Sequence, residues 1–232
     1  QDIAATAVRL VGLVKAREQA TAPVMRARRD AYDRFAARFP FSPTPDQESA
    51  IEAVRHDLAS GHPMDRLICG DVGYGKTEIA LRAAAIAVMA GYQVALAAPT
   101  TVLVRQHLIT FRRRFAGLGV RVASLSRLTP AAEARETRAG LADGSIGLVI
   151  GSQALAGKGV RFKRLGLLIV DEEQRFGVRQ KRALRRLGDG VHTLTLTTTP
   201  IPRTLQGALA GLQQLSVLAT PPARRQPVRT IR

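Results

Sequence analysis

Arg66-Leu67-Ile68-Cys69-Gly70-Asp71-Val72-Gly73-Tyr74-Gly75-Lys76-Thr77-Glu78-Ile79-Ala80 passes from an apolar run, through a glycine-rich turn, into an alanine-rich stretch. We read a strand over residues 66–69, a loop over 70–77 and a helix over 76–90. The loop matches G-x-x-x-x-G-K-[ST] in full, between the strand and the helix that the motif requires. Its glycines let backbone N–H groups converge on phosphate oxygens. Lys76 would reach the β- and γ-phosphates, and Thr77 would place its hydroxyl on Mg2+. The N-terminus of the following helix adds partial positive charge at the same point. Gly70, Asp71, Val72, Gly73, Tyr74, Gly75, Lys76 and Thr77 are therefore the candidate cradle, and ATP with Mg2+ is the ligand it fits.

About one lobe further on, Leu167-Leu168-Ile169-Val170 runs straight into Asp171-Glu172-Glu173-Gln174. Two carboxylates at the tip of a buried strand face the crevice where open α/β sheets bind ligands. Asp171 suits a magnesium ion, held through water, and Glu172 suits orienting and deprotonating the attacking water. Phosphoryl transfer needs this division, because its catalysis is positioning plus charge stabilisation. Glu173 has no evident role and reads as a solvated acid.

Working outward, apolar strands are expected at 66–69, 93–98, 120–125, 147–150, 167–170 and 192–197, with helical stretches between them. Short continuous runs of Val, Ile, Leu and Ala are the mark of strands buried on both faces of a parallel sheet. Strand–helix alternation then gives right-handed crossovers and a layered α/β domain with helices on both faces. Residues 1–39 read as a helical connector, with Pro23 as a break and Tyr32, Phe35 and Phe39 on one side. Residues 40–220 read as the lobe, beginning at the proline-rich corner 40–45. The basic, proline-containing 221–232 read as an exit linker.

The 232 residues suffice for one large domain and a short appendage, not for two nucleotide-binding lobes. The chain opens on Gln1 rather than Met, which suggests a processed chain or an excised piece. Lys and Arg number 35 against 18 Asp and Glu, a formal charge of +17, so a polyanion is the expected partner. The single cysteine, Cys69, excludes an internal disulfide and suits the cytoplasm. No apolar run approaches the ~20 residues that span a bilayer. Tryptophan is absent, so base stacking is not the expected mode of nucleic-acid binding.

Over nearly its whole length the chain resembles superfamily 2 helicases and translocases, and so is expected to have a RecA-like fold. Thr44-Pro45-Asp46-Gln47 is similar to the adenine-recognising Q motif, which implies that Gln47 bonds the base. Pro99-Thr100-Thr101, with Gln106, resembles a loop that touches the nucleic-acid backbone. Ser126-Arg127 and Gly151-Ser152-Gln153 fall where two more such loops sit. Thr197-Thr198-Thr199 resembles the motif that links hydrolysis to movement. With Arg105 and Arg203, the residues Thr100, Thr101, Ser126, Arg127, Gly151 and Ser152 are the candidate contacts to DNA.

Three strings narrow the resemblance: 70–78, 171–178 (Asp-Glu-Glu-Gln-Arg-Phe-Gly-Val) and 199–204 (Thr-Pro-Ile-Pro-Arg-Thr). They are similar to those of the transcription-repair coupling factor family and of RecG-type fork helicases. Glu78, Glu173 and 219–225 favour the former. That resemblance implies a double-stranded DNA translocase lobe. Its partners would be a second RecA-like lobe, RNA polymerase and an excision-repair factor, all engaged outside this chain. Two positions depart from the family pattern: Gln174 stands where His is usual, and Thr198 where Ala is usual. The two motifs touch in the family, so Gln174, counted with the catalytic residues, and Thr198 are expected to be a matched pair. A nucleotide-binding switch and a small-molecule kinase remain alternatives, although the acidic box and the threonine run speak against a kinase. Arginine fingers of a second lobe are typically worth about 10³–10⁵ in rate. The isolated chain is therefore expected to bind nucleotide weakly and turn over almost none. The charge runs 112–114 and 179–186 read as solvated faces at least as readily as DNA contacts.

Overall fold

The computed structural model describes residues 2–209 and 211–223. The elements in chain order are α1 (Asp2–Gln19), α2 (Arg29–Ala36), α3 (Pro45–Ala59), β1 (Asp65–Gly70), α4 (Lys76–Met89), β2 (Gln93–Ala97) and α5 (Thr101–Phe115). They continue with β3 (Val122–Leu125), α6 (Ala131–Asp143), β4 (Leu148–Gly151), β5 (Leu165–Asp171), α7 (Val178–Leu187), β6 (His192–Thr197), α8 (Arg203–Leu209) and β7 (Gln214–Leu218). Short 3₁₀ turns occupy Gln153–Ala156 and Glu173–Arg175. The strands form one sheet in the order β3-β4-β2-β5-β6-β1-β7, with every neighbouring pair parallel. The expected layered α/β architecture is what the chain forms. Each of the six strands read from sequence is present within two residues of its expected start. The seventh, β7, was not read.

Alternation along the strands divides the core into two layers. Ile68, Val94, Leu96, Leu148, Ile150, Leu167 and Ile169 face the helices α3, α4 and α5. Ala95, Ala97, Val149, Leu168 and Val170 face α6 and α7, through Leu141 and Leu184. Helix α4 is buried nearly all round. Ala80, Ala83, Ala84, Ala85 and Ala87 have no exposed surface, so small side chains let the helix lie close on the sheet. Because all strands are parallel, the loops after β1, β2, β3, β4, β5 and β6 emerge along one edge.

The segment read as a connector is helical only in part. Residues 20–28 form no helix. Instead Ala22 and Met25 donate backbone hydrogen bonds to Gly61 and Leu58, at 2.9 and 2.8 Å. Met25, Tyr32 and Phe35 are buried in the same core as α3 and α4. His192 on β6 fastens this segment: its Nδ1 accepts from Met64 N at 2.9 Å and its Nε2 donates to Pro23 O at 2.7 Å. Helix α1 is largely exposed and is tied down by Arg17, which donates to Leu212 O (2.8 Å) and Gln214 Oε1 (2.9 Å). Among the described residues no helix is long and apolar enough to cross a membrane.

Two polar clusters hold the lobe's corners. Glu78, next to the phosphate loop, is 4% exposed and receives Arg82 Nε at 2.8 Å and both terminal nitrogens of Arg114. Arg114 also lies 4.7 Å over the Phe35 ring. The basic run 112–114 is therefore split, with Arg112 and Arg113 exposed and Arg114 buried. At the other corner, Asp46 Oδ2 accepts from Ala219 N and Thr220 N, at 3.0 and 2.8 Å, so the chain after β7 returns to the start of α3. Of the expected exit linker, 224–232 lie outside the described residues.

Candidate nucleotide site

β1 ends at Gly70, and the loop turns on Gly73 (φ 82°) and Gly75 (φ 87°) before α4 starts. An L side chain rarely adopts that conformation. At Gly75 a Cβ would also overlap the Gln47 amide. Gln47 supports the loop from below. Its Oε1 accepts from Thr44 N at 3.0 Å, its backbone N–H donates to Thr44 Oγ1 at 3.2 Å, and its Nε2 donates to Tyr74 O at 2.7 Å. This is a capping box at the start of α3. Gln47 still has one amide hydrogen and one lone pair to offer a base. Lys76 Nζ donates to Gly70 O and to Asp71 O, the latter at 2.9 Å. Burial lowers the Lys76 pKa, while Glu172, Asp171 and Asp71 pull it back up. Burial also pushes the Cys69 thiol up to about 11, an inert position for a cysteine.

β5 delivers Asp171 and Glu172 to the same cleft. Glu172 is the only non-glycine with positive φ (49°) among the described residues. Its backbone N–H donates to Leu196 O at 2.9 Å, which locks the turn against β6. Its Oε2 accepts from Gln174 Nε2 and from Thr198 Oγ1, the latter at 3.2 Å. Thr197 Oγ1 donates to Gln174 Oε1 at 3.3 Å. Gln174 and Thr198, paired on sequence grounds, thus converge on one carboxylate oxygen. Glu173 sits 3.8 Å from Arg185 at the surface. Asp171 has a partner that sequence reasoning missed: His107 Nε2 lies 2.7 Å from its Oδ2, and both residues are buried. The available signal was a lone histidine on the apolar stripe of α5.

These residues line a cleft of about 720 Å³, which Gln47, Gly73, Gly75, Lys76, Thr77, Asp171, Glu172, Gln174 and Thr198 share. Phe39 and Phe41, also missed, form an apolar wall with ring centroids 5.6 Å apart. The described residues contain no group of three or more His, Cys, Asp or Glu able to hold a metal ion. One carboxylate and one hydroxyl beside a phosphate-shaped loop suit Mg2+, which takes its other oxygens from phosphate and water. The donor set therefore fits Mg2+ with ATP.

The candidate DNA contacts lie on the same edge of the sheet, one group along. Thr100 caps α5, accepting from Leu103 N at 3.2 Å, and Thr101 and the exposed Arg105 follow it. Ser126 and the exposed Arg127 follow β3, and Arg203 is exposed at the start of α8. Gly151, the last residue of β4, and Ser152 after it are buried. A Cβ on Gly151 would overlap Leu125 O of the neighbouring strand, and Ser152 caps the following turn. Both shape that loop, and Gln153 is its exposed member. On α7, Arg179, Arg182, Arg185 and Arg186 face solvent.

The DEAD/DEAH box helicase family model matches residues 44–208, and the chain belongs to that family, which implies use of ATP. Its fold is the RecA-like lobe expected from sequence. It is similar to the transcription-repair-coupling factor of Staphylococcus epidermidis, with 46% identity over 99% of this chain and 20% of that protein. The factor of Mycobacterium tuberculosis is 55% identical over 83% of this chain and 16% of its own length. The chain thus spans about a fifth or less of the relatives it matches. The solved structure of RecG bound to a three-way DNA junction superposes with a TM-score of 0.79 at 34% identity, over 94% of this chain and 30% of that one.

Proposed function

We propose that this chain is the ATP-binding lobe of a cytoplasmic, ATP-dependent double-stranded DNA translocase that displaces stalled RNA polymerase and couples transcription to excision repair. The supporting observation is the meeting of Lys76 and Thr77 with Asp171 and Glu172 in one cleft, in a chain similar along 99% of its length to a coupling factor. In this reading residues 40–220 are the motor lobe, and 1–39 connect it to what precedes.

Gln47 and the Phe39–Phe41 wall hold the base, and the loop N–H groups and Lys76 hold the phosphates. Thr77 and Asp171 hold Mg2+, which when bound neutralises charge on the phosphate oxygens. Glu172, fixed by Gln174 and Thr198, orients the attacking water and takes its proton. Thr100, Thr101, Arg105, Ser126, Arg127 and Arg203 contact the DNA backbone, with Gly151 and Ser152 shaping the loop between them. Such contacts carry no sequence preference and weaken with salt.

The site is half of a catalytic centre, and arginines of a second lobe complete it. The test is binding of a fluorescent ATP analogue to the chain, followed by hydrolysis with and without DNA. The chain should bind in Mg2+, and Lys76→Ala should abolish binding. DNA-stimulated turnover should be near zero in the 232-residue chain and rise about 10³–10⁵-fold when a second lobe is joined. Strong stimulated turnover by the chain alone would overturn the half-site reading. The similarity to RecG supports a second reading, a fork-remodelling motor. Fork reversal without polymerase displacement by the full-length protein would favour it.

A further inference from the structure

The order β3-β4-β2-β5-β6-β1-β7 divides the functional edge in two. The loops of β3, β4 and β2 carry the candidate DNA contacts except Arg203, which follows β6. The loops of β5, β6 and β1 carry the nucleotide residues. The halves meet where β2 pairs with β5. Helix α5 starts at that seam, capped by Thr100, and runs back along the core. Its buried side chains are Val104, His107, Phe111, Arg114 and Phe115. Only two of them are polar, and each is spent on a carboxylate of a nucleotide motif. Arg114 takes Glu78, next to Thr77, and His107 takes Asp171.

The His107–Asp171 contact is short (2.7 Å), with the two side chains 9% and 11% exposed. The Phe111 ring meets the imidazole edge-on at 6.2 Å, which limits its rotation. A carboxylate only accepts, so Nε2 carries the hydrogen and donates. We propose that His107 is a positioning residue for the magnesium site. It holds Asp171 Oδ2, so that Oδ1 is the oxygen left for the ion's water shell, and it ties that carboxylate to the helix whose first turn meets DNA. This rests on reading Asp171 as the magnesium carboxylate. Partners that orient a metal-binding carboxylate typically cost about 10–100-fold in metal affinity when removed.

The experiment is a Mg2+ titration of the 232-residue chain in the presence of a fluorescent, non-hydrolysable ATP analogue, with a parallel binding curve in EDTA. In His107→Gln the amide nitrogen reaches the place of Nε2. In His107→Asn it falls short of Asp171. The Asn variant should need about 10–100-fold more Mg2+, the Gln variant should stay close to wild type, and affinity in EDTA should be unchanged in both. If His107→Asn does not fold, His107→Phe carries the same expectation, since it keeps the ring contact with Phe111 and lacks the donor. Unchanged Mg2+ affinity in a folded variant without the donor would overturn the proposal. So would equal losses in Mg2+ and EDTA, the mark of a merely structural role, or equal weakening by Gln and Asn. A wild-type chain with no Mg2+-dependent nucleotide binding would instead overturn the reading of the site itself.

Discussion

Glu78→Gln removes one negative charge from a place where two buried positive ones depend on it. Glu78 is 4% exposed, Arg82 9% and Arg114 8%. Three of the guanidinium hydrogen bonds end on its carboxylate. Removing one partner of a buried pair leaves an uncompensated charge and typically costs about 3–5 kcal/mol. The amide keeps the shape and one acceptor oxygen, so Gln belongs at the lower end of that range and Ala at the upper. For a domain of this size about 1 kcal/mol shifts the melting temperature by roughly 2–4 °C. The expected fall is therefore about 6–12 °C for Gln and about 10–20 °C for Ala in a thermal melt followed by circular dichroism. Urea titration at fixed pH should give the same loss in free energy with an unchanged slope. Replacing all three charges by apolar residues of similar volume should restore much of it, because the desolvation cost goes with the charges. A loss below about 1 kcal/mol for Glu78→Ala, the range of an exposed pair, would refute the view that this cluster is a buried anchor.

Gly75→Ala forces a side chain into positive φ and onto the Gln47 amide. It should cost about 1–3 kcal/mol and abolish nucleotide binding by fluorescence titration. His192 is fully buried and neutral by its bonding, and burial lowers its pKa below the usual value. The unfolded chain therefore binds a proton there first. Stability should be full above about pH 6.5 and fall as pH drops through the lowered native value. Urea titrations should show a larger acid loss for wild type than for His192→Asn. In the chain joined to a second lobe, replacing Gln174→His and Thr198→Ala, singly and together, should give a coupling of at least about 0.5 kcal/mol in ATPase rate, since both act on Glu172 Oε2. Additive effects would sink the pairing.

The sheet was legible because its strands are unbroken apolar runs. The phosphate loop was legible because glycine, lysine and threonine at fixed spacing have one geometric use. β7 was missed because Gln214 and Ser216 interrupt its apolar pattern, and as an edge strand it has a neighbour on one side only. The break expected at Pro23 extends over residues 20–28, because the backbone N–H groups of Ala22 and Met25 go to Gly61 and Leu58, distant partners that no local pattern announces. His107 escaped for the same reason: its meaning lies 64 residues away, on Asp171. Gly151 and Ser152 match a family position, and local structure also favours their types: crowding at Leu125 O favours glycine at 151, and capping of the following turn favours serine at 152.

Asp46 holds the backbone of Ala219 and Thr220 one residue before Gln47, whose amide props up the phosphate loop. The polypeptide is thus pinned, after its last strand, to the rim of its own fuel port. The residue that clasps this exit and the residue that props the loop are neighbours in the first turn of α3, so one helix end serves both the nucleotide cleft and the path by which the chain leaves the sheet.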